Sequence, residues 1–185
     1  MLVVTQRLEL VPATPDLVRA ELQSRAALGD VLQIDVPESW PPELYDRAAA
    51  QYTLERLEEG PGPDQAGWWL HYVILKGSSS NSPTMVGACG YKGPPSPDGT
   101  VEIGYGILQE FRRRGYAKEA ARGLIATAFT YPMVTRIIAE TLPELAPSLG
   151  VLRTAGFRSI GEGSEAGVIR FELTRVEFVS RDGAG

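Results

Sequence analysis

Thr100–Leu124, TVEIGYGILQEFRRRGYAKEAARGL, is the stretch from which the rest of the chain can be read. Val101, Ile103, Tyr105 and Ile107 alternate with Glu102, Gly104, Gly106 and Leu108, a period of two that predicts a strand. The alternation breaks at Gln109, Glu110 and Phe111. Three arginines follow, Arg112 to Arg114, and then Gly115. From Ala117 the composition is helical: Lys118, Glu119, Ala120, Ala121, Arg122 and Leu124. The segment is therefore strand, basic turn, helix. A helix N-terminus exposes N–H groups without internal partners, and its dipole favours an anion. Glycine at position 115 permits a sharp turn and lets the backbone approach a ligand closely. Together these features describe a phosphate cradle. The same residues also fit a basic turn that caps a structural helix.

Neither common nucleotide loop is present. There is no G-x-x-x-x-G-K-[ST], and Gly104-Tyr105-Gly106 lies inside the strand rather than after it. What the residues do match is R-x-x-G-x-A, at Arg112, Gly115 and Ala117. In this setting the motif resembles the pyrophosphate loop of the GNAT acyltransferase superfamily. The longer phrase VEIGYGI…RRRGYAKEA is similar to its ribosomal-protein-alanine N-acetyltransferase-like branch.

The 185 residues suffice for one domain with a substantial core, here residues 1–179, followed by an expected flexible tail at 180–185. Hydrophobic residues make up 43% and charged residues 22%, ordinary for a globular chain. A net charge of −5 argues against a nucleic-acid partner, which wants a basic face. Against that acidic background Arg112–Arg114 is a local cationic cluster, as an anion site requires. The single cysteine, Cys89, excludes an intrachain disulfide. With no leader-like start and no membrane-length apolar run, the expectation is a cytoplasmic protein, without a membrane partner, that is a monomer or homodimer.

Outside the central stretch, Leu2–Val11 reads as a strand. Thr14-Pro15-Asp16 opens a helix that reaches about Ser24: a cap residue, a proline and an acid in the first turn. Gly29–Pro42 reads as irregular. A second helix spans Glu43–Glu59, with Leu44, Ala48, Tyr52 and Leu57 on one face, and Gly60–Pro63 ends it. Strands at Trp68–Leu75 and Thr84–Lys92 flank a polar loop at Gly77–Pro83. With the strand from Thr100 they form an antiparallel meander. The helix from Ala117 ends near Tyr131. Then come a strand at Arg136–Thr141, a short helix at Ala146–Ala155, and strands at Phe157–Glu162 and Val168–Arg175. A right-handed crossover should make the strands around the basic loop parallel. The expected class is α/β (α+β), a mixed, mostly antiparallel sheet of about six to seven strands with helices on both faces. That order matches the GNAT fold along nearly the whole chain.

A second signature supports the resemblance. TLPELAPSLGVLRTAGF, Thr141–Phe157, is similar to the family phrase TLPENxxSxxVLEKxGF at Ser148, Val151, Leu152, Gly156 and Phe157. Leu145 replaces the family's asparagine and Thr154 its lysine. The resemblance implies acetyl-CoA as co-substrate, no metal, and an amine acceptor. The implied activity is N-acetyl transfer to a primary amine, in a protein, a peptide or a small molecule, by direct attack in a ternary complex. A non-catalytic acyl-CoA-binding module of the same fold is the alternative. Carried onto this chain, the cofactor contacts are Arg112, Arg113, Arg114, Gly115, Tyr116, Ala117 and Lys118 around the pyrophosphate. Ile107 and Leu108 would meet the pantetheine arm, and Ser148 the region of the thiol.

The chemistry sets further requirements. An alkyl ammonium must lose a proton before it can attack. Glu102 is the first candidate base, because Gly104 and Gly106 leave space on its strand face. Glu140 is the second, and water alone a third. Both carboxylates equally fit structural ion pairs. Many relatives place a tyrosine where Leu152 stands, so Ser148 is the candidate acid, or else a hydrogen-bonding or capping residue. His71, the only histidine, lies in the apolar WWLHYVIL and reads as structural. Cys89 reads as a core residue. Trp68, Trp69 and Trp40 fit the core; because the stretch between the first two helices helps form the acceptor pocket in the resembled family, the resemblance gives Trp40 the better claim to touch substrate.

Overall fold

The computed structural model describes residues 1–43, 45–59, 67–77 and 81–182. It contains eight strands in one sheet. Val3–Val4 (β1) and Leu8–Pro12 (β2) replace the single first strand expected, because the chain turns at Thr5, whose N–H donates to the Leu8 carbonyl at 2.9 Å. Leu70–Leu75 (β3), Thr84–Tyr91 (β4) and Thr100–Ile107 (β5) form the meander, and Arg136–Thr141 (β6), Arg158–Glu162 (β7) and Ile169–Thr174 (β8) complete the sheet. The strand order is β1-β2-β3-β4-β5-β6-β8-β7. Only β5 and β6 pair in parallel.

The first helix, Pro15–Gln23 (α1), has Thr14 as its cap, with the Thr14 hydroxyl accepting from Leu17 N–H. The stretch expected to be irregular from Gly29 is helical as far as Leu32. Ser24 ends α1 and caps a second helix, Arg25–Leu32 (α2), by accepting from Ala27 N–H. Glycine inside a helix is a poor signal. Gly29 is nonetheless suited here, since a Cβ would lie 3.0 Å from the Ile34 carbonyl oxygen. The next helix is Arg47–Glu59 (α3), starting later than expected; Leu44 lies outside the described residues, as do 60–66 and 78–80. Tyr116–Thr130 (α4) and Ala146–Ala155 (α5) lie where the sequence placed them.

A last helix, Arg175–Asp182 (α6), takes in the first residues of the expected tail; 183–185 lie outside the described residues. Its signal was present in the sequence. Thr174 and Glu177 form a reciprocal capping box, with Thr174 N–H donating to Glu177 Oε2 at 2.8 Å and Glu177 N–H to Thr174 Oγ1 at 3.3 Å. Arg175 anchors the helix by donating to the carbonyls of Phe129, Tyr131 and Val134, which close the end of α4.

Two apolar layers enclose the sheet. One face packs Val73, Cys89, Ile103 and Ile137 against Ala120, Leu124 and Ala128 of α4 and Leu152 of α5. The other packs Tyr72, Ile74 and Met85 against Leu17 and Val18 of α1, Leu28 of α2 and Leu54 of α3. The alternation of β5 thus sends Ile103 and Tyr105 toward α4 and α5, and Glu102, Gly104 and Gly106 to the opposite face.

Candidate active site

The parallel ladder between β5 and β6 stops early. It pairs Thr100, Val101, Glu102 and Ile103 with Arg136 to Ala139 and goes no further. Beyond it, β5 continues to Ile107 while β6 stays with β8 through Thr141. The strands separate, and Tyr105, whose backbone N–H and C=O face that side while those of Gly104 and Gly106 face β4, has no ladder partner there among the described residues. The opening does not extend to the end of β5. The Ile107 carbonyl accepts from Arg112 Nε at 3.0 Å, and Leu108 N–H donates to the Val86 carbonyl at 2.9 Å. Both residues are buried. On the gap side Arg112 thus takes the Ile107 carbonyl, while the Leu108 N–H is bonded to β4 on the other edge.

At the mouth of this gap the chain turns through Gln109–Phe111, a single 3-10 turn, into α4. Gly115 caps α4 at φ 83° without a side-chain bond. The first internal donor of the helix is Glu119 N–H, bonded to the Gly115 carbonyl at 3.1 Å. Among the described residues none accepts a hydrogen bond from the N–H groups of residues 113–118. Arg113, Arg114 and Lys118 form no ion pair among the described residues, so three cations surround these six donors. That donor set fits the diphosphate of CoA. Arg112 differs from its neighbours. Its side chain is engaged with Ile107 and, at 2.9 Å, with Glu43. The Tyr116 ring is buried in the core.

The two faces of β5 carry different chemistry. On the α5 side the Tyr105 hydroxyl lies 3.3 Å from Ser148 Oγ and donates to the Ser148 carbonyl at 3.3 Å. Burial raises the Tyr105 pKa, outweighing the bond to Ser148, so the phenol is protonated and able to donate. Leu152, at the family's tyrosine position, is buried in the core. The sequence reading missed Tyr105 because its place in an alternating strand marked it only as an apolar-face residue.

On the other face lies Glu102, its side chain about one-fifth exposed and its Oε1 buried, two positions before Gly104. A Cβ at Gly104 would meet nothing within 4 Å, while one at Gly106 would lie 3.4 Å from Pro42 Cβ and 3.5 Å from the Glu43 carbonyl oxygen. Gly104 therefore faces an open trough, and Pro42 and Glu43 stand over the neighbouring Gly106. The Lys92 ammonium sits against Glu102 Oε1 across the β4–β5 pair. Glu140 is differently placed. Its carboxylate accepts from Ser164 N–H at 2.8 Å, Ser164 Oγ at 2.6 Å and Arg170 Nε at 2.7 Å. Burial acts to raise its pKa, but these bonds and the Arg170 charge prevail and lower it. These bonds tie the carboxylate to Ser164 and Arg170, in the turn before β8 and at its start.

Trp40 is not free in the trough. Its Nε1 donates to Glu21 Oε1 at 2.9 Å and its ring packs on Tyr45 and Tyr72. Tyr45 and Tyr72 also donate to Glu21, at 3.0 and 2.7 Å. This cluster braces the segment that carries Pro42 and Glu43. His71 is buried, and burial lowers its pKa to about 4, which keeps it neutral and structural. Cys89 is buried and its pKa is raised, so it offers no thiolate. Among the described residues no cluster of three or more His, Cys, Asp or Glu side chains is arranged to hold a metal ion. Among them, too, no helix is long and apolar enough to cross a membrane.

Residues 7–158 match the family of the acetyltransferase (GNAT) domain. An uncharacterised N-acetyltransferase of Bacillus subtilis, YjdG, is 30% identical over 158 residues, covering 85% of this chain and 89% of its own. Among solved structures, a ribosomal-protein-serine acetyltransferase from Vibrio cholerae, itself described as putative, superposes with a TM-score of 0.62 at 23% identity, over 94% of this chain and 97% of the other. RimL, a ribosomal alpha-N-protein acetyltransferase in complex with coenzyme A, gives 0.63 at 16% identity, over 94% and 98%.

Proposed function

The chain belongs to the GNAT acetyltransferase family, and on that premise we propose that it transfers the acetyl group of acetyl-CoA to a primary amine by direct attack. The observation that carries this reading is the separation of β5 from β6 after the Ile103–Ala139 pair. It supports a gap next to the basic loop, with the hydroxyls of Tyr105 and Ser148 on one face of β5 and the Lys92-paired Glu102 on the other.

Acetyl-CoA supplies an activated acyl group on a thiol leaving group. The N–H groups of residues 113–118, with Arg113, Arg114 and Lys118, hold its diphosphate. The backbone N–H and C=O of Tyr105, with the N–H of Ile107, receive the pantetheine arm as a short added strand and direct the thioester carbonyl to the gap. Glu102 takes the proton of the acceptor ammonium, directly or through water. Lys92 occupies the position of that ammonium in its absence. As the new C–N bond forms and the C–S bond breaks, Ser148, with Tyr105 behind it, donates to the departing sulfur. A thiol with pKa of about 8.5 leaves readily, so this donor lowers an already modest barrier.

No specific observation favours the non-catalytic module. Neighbours named as ribosomal-protein acetyltransferases put a protein α-amine first among acceptors to try. The test is release of free thiol from acetyl-CoA over peptides with free α-amines, polyamines and aminoglycosides. Release that depends on one amine class is expected. Binding of acetyl-CoA with no amine-dependent release from any class would reject the catalytic reading.

A further inference from the structure

Arg7 stands in the turn between β1 and β2, far from the phosphate loop in sequence and in contact with it in space. Nε donates to Glu119 Oε2 at 2.7 Å, and Nη1 donates to the Arg114 carbonyl at 2.9 Å. The guanidinium carbon lies 4.7 Å from the centroid of the Tyr116 ring. Glu119 is itself fixed by the Thr5 hydroxyl at 2.6 Å and the Arg7 N–H at 2.7 Å. The arginine is thus held on the first turn of α4 by a carboxylate that has little freedom of its own.

The carbonyl it grips is an unusual one. Arg114 lies between two residues at positive φ, Arg113 at 61° and Gly115 at 83°. For an arginine that region is sparsely populated and persists only when its surroundings impose it. The Arg114 carbonyl and the Gly115 N–H share one planar trans peptide, so they point to opposite sides. Holding the carbonyl on the Arg7 side turns the N–H the other way, where no described residue accepts from it. A flipped peptide would present the carbonyl oxygen to an anion instead, exchanging attraction for repulsion.

We propose that Arg7 is a positioning residue of the phosphate loop, which holds the Arg114 carbonyl so that the Gly115 N–H faces the diphosphate of CoA. This rests on the acetyl-CoA reading above. It gives the N-terminal turn a part in cofactor binding that the loop motif, confined to Arg112–Ala117, does not contain.

The test compares two acyl donors, acetyl-CoA and S-acetylpantetheine, which has the same thioester but no diphosphate. In Arg7→Ala the ratio of kcat/KM for acetyl-CoA to that for S-acetylpantetheine should fall roughly tenfold or more, the size of one charge-assisted hydrogen bond. CoA affinity by calorimetry should fall in parallel. Arg7→Lys should not restore the ratio, because an ammonium cannot serve Glu119 and the Arg114 carbonyl together in the guanidinium geometry. It also serves as the reading variant if Arg7→Ala does not fold. Equal losses with both donors would reduce Arg7 to a structural brace and overturn the proposal. So would an unchanged ratio in a folded variant. Failure of the unmodified protein to bind CoA would instead overturn the acetyl-CoA reading beneath it.

Discussion

Tyr105 and Ser148 meet across the gap in the sheet, hydroxyl to hydroxyl at 3.3 Å, one from β5 and one from α5. Either can donate to the other, so a proton lost by Ser148 to the leaving sulfur can be replaced by Tyr105. Ser148→Ala should lower kcat with acetyl-CoA, and Tyr105→Phe should lower it less, because Ser148 remains. Acetyl donors with more acidic thiols need less help and should restore most of the loss. Steady-state kinetics with a series of such thioesters is the check. A loss independent of thiol acidity would remove both residues from the leaving-group step.

Glu102 carries the proposed proton transfer. Glu102→Gln keeps shape and hydrogen-bonding reach but accepts no proton. Turnover should fall by roughly 10²–10⁴, with the acidic limb of the pH–rate profile gone. Acetyl-CoA affinity should hold, since the cradle is at the other end of β5. The measurement is kcat/KM against pH on folded protein with its acceptor amine. A variant with wild-type rate and profile would leave deprotonation to water.

Gly115 is constrained by its backbone conformation as well as by the ligand. At φ 83° any Cβ is strained, and a β-branched one most of all. In space, the nearest atom to such a Cβ is Arg7 Nη2 at 3.4 Å, so the fold itself does not forbid a side chain there. Gly115→Val should therefore fold, as circular dichroism would show, and bind no CoA by calorimetry. Gly115→Ala should bind weakly. Wild-type affinity in Gly115→Val would move the diphosphate elsewhere.

Glu21 makes stability depend on pH. Burial raises its pKa above the ordinary 4.5, by more than the bonds from Tyr72, Tyr45 and Trp40 lower it. The folded chain therefore holds this proton more tightly than the unfolded one. The resulting stability is full below 4.5 and is lost as pH rises through the raised value. Glu21→Gln has no such proton, so its urea midpoint relative to wild type should improve over that same rise. A difference between the two proteins that is flat with pH would contradict the assignment.

Local periodicity and local motif reveal much of this protein in its sequence. The alternation at Val101–Ile107 gave β5, and Thr14-Pro15-Asp16 gave the start of α1. The bounds of β6 and α5 follow from patterns that short stretches enforce alone. The basic loop was legible for the same reason: a helix N-terminus and a glycine act on an anion through neighbouring backbone. The Thr174–Glu177 capping box was equally local and was overlooked.

Sequence alone could not decide what depends on partners far along the chain. Glu102 and Glu140 both sit on strands at the parallel pair, yet Lys92 from the neighbouring strand's end meets the one, while Ser164 and Arg170 occupy the other. No spacing rule distinguishes them, because the occupying groups arrive from a different turn. Tyr105 became a hydroxyl at the gap only because α5 brings Ser148 to it, and Arg7 reached the loop only because α4 packs over the N-terminal strands. The separation of β5 from β6 is of the same kind. Each strand has the composition to continue pairing, but past Ala139 β6 keeps its hydrogen bonds with β8 alone, and that choice of partner opens the site.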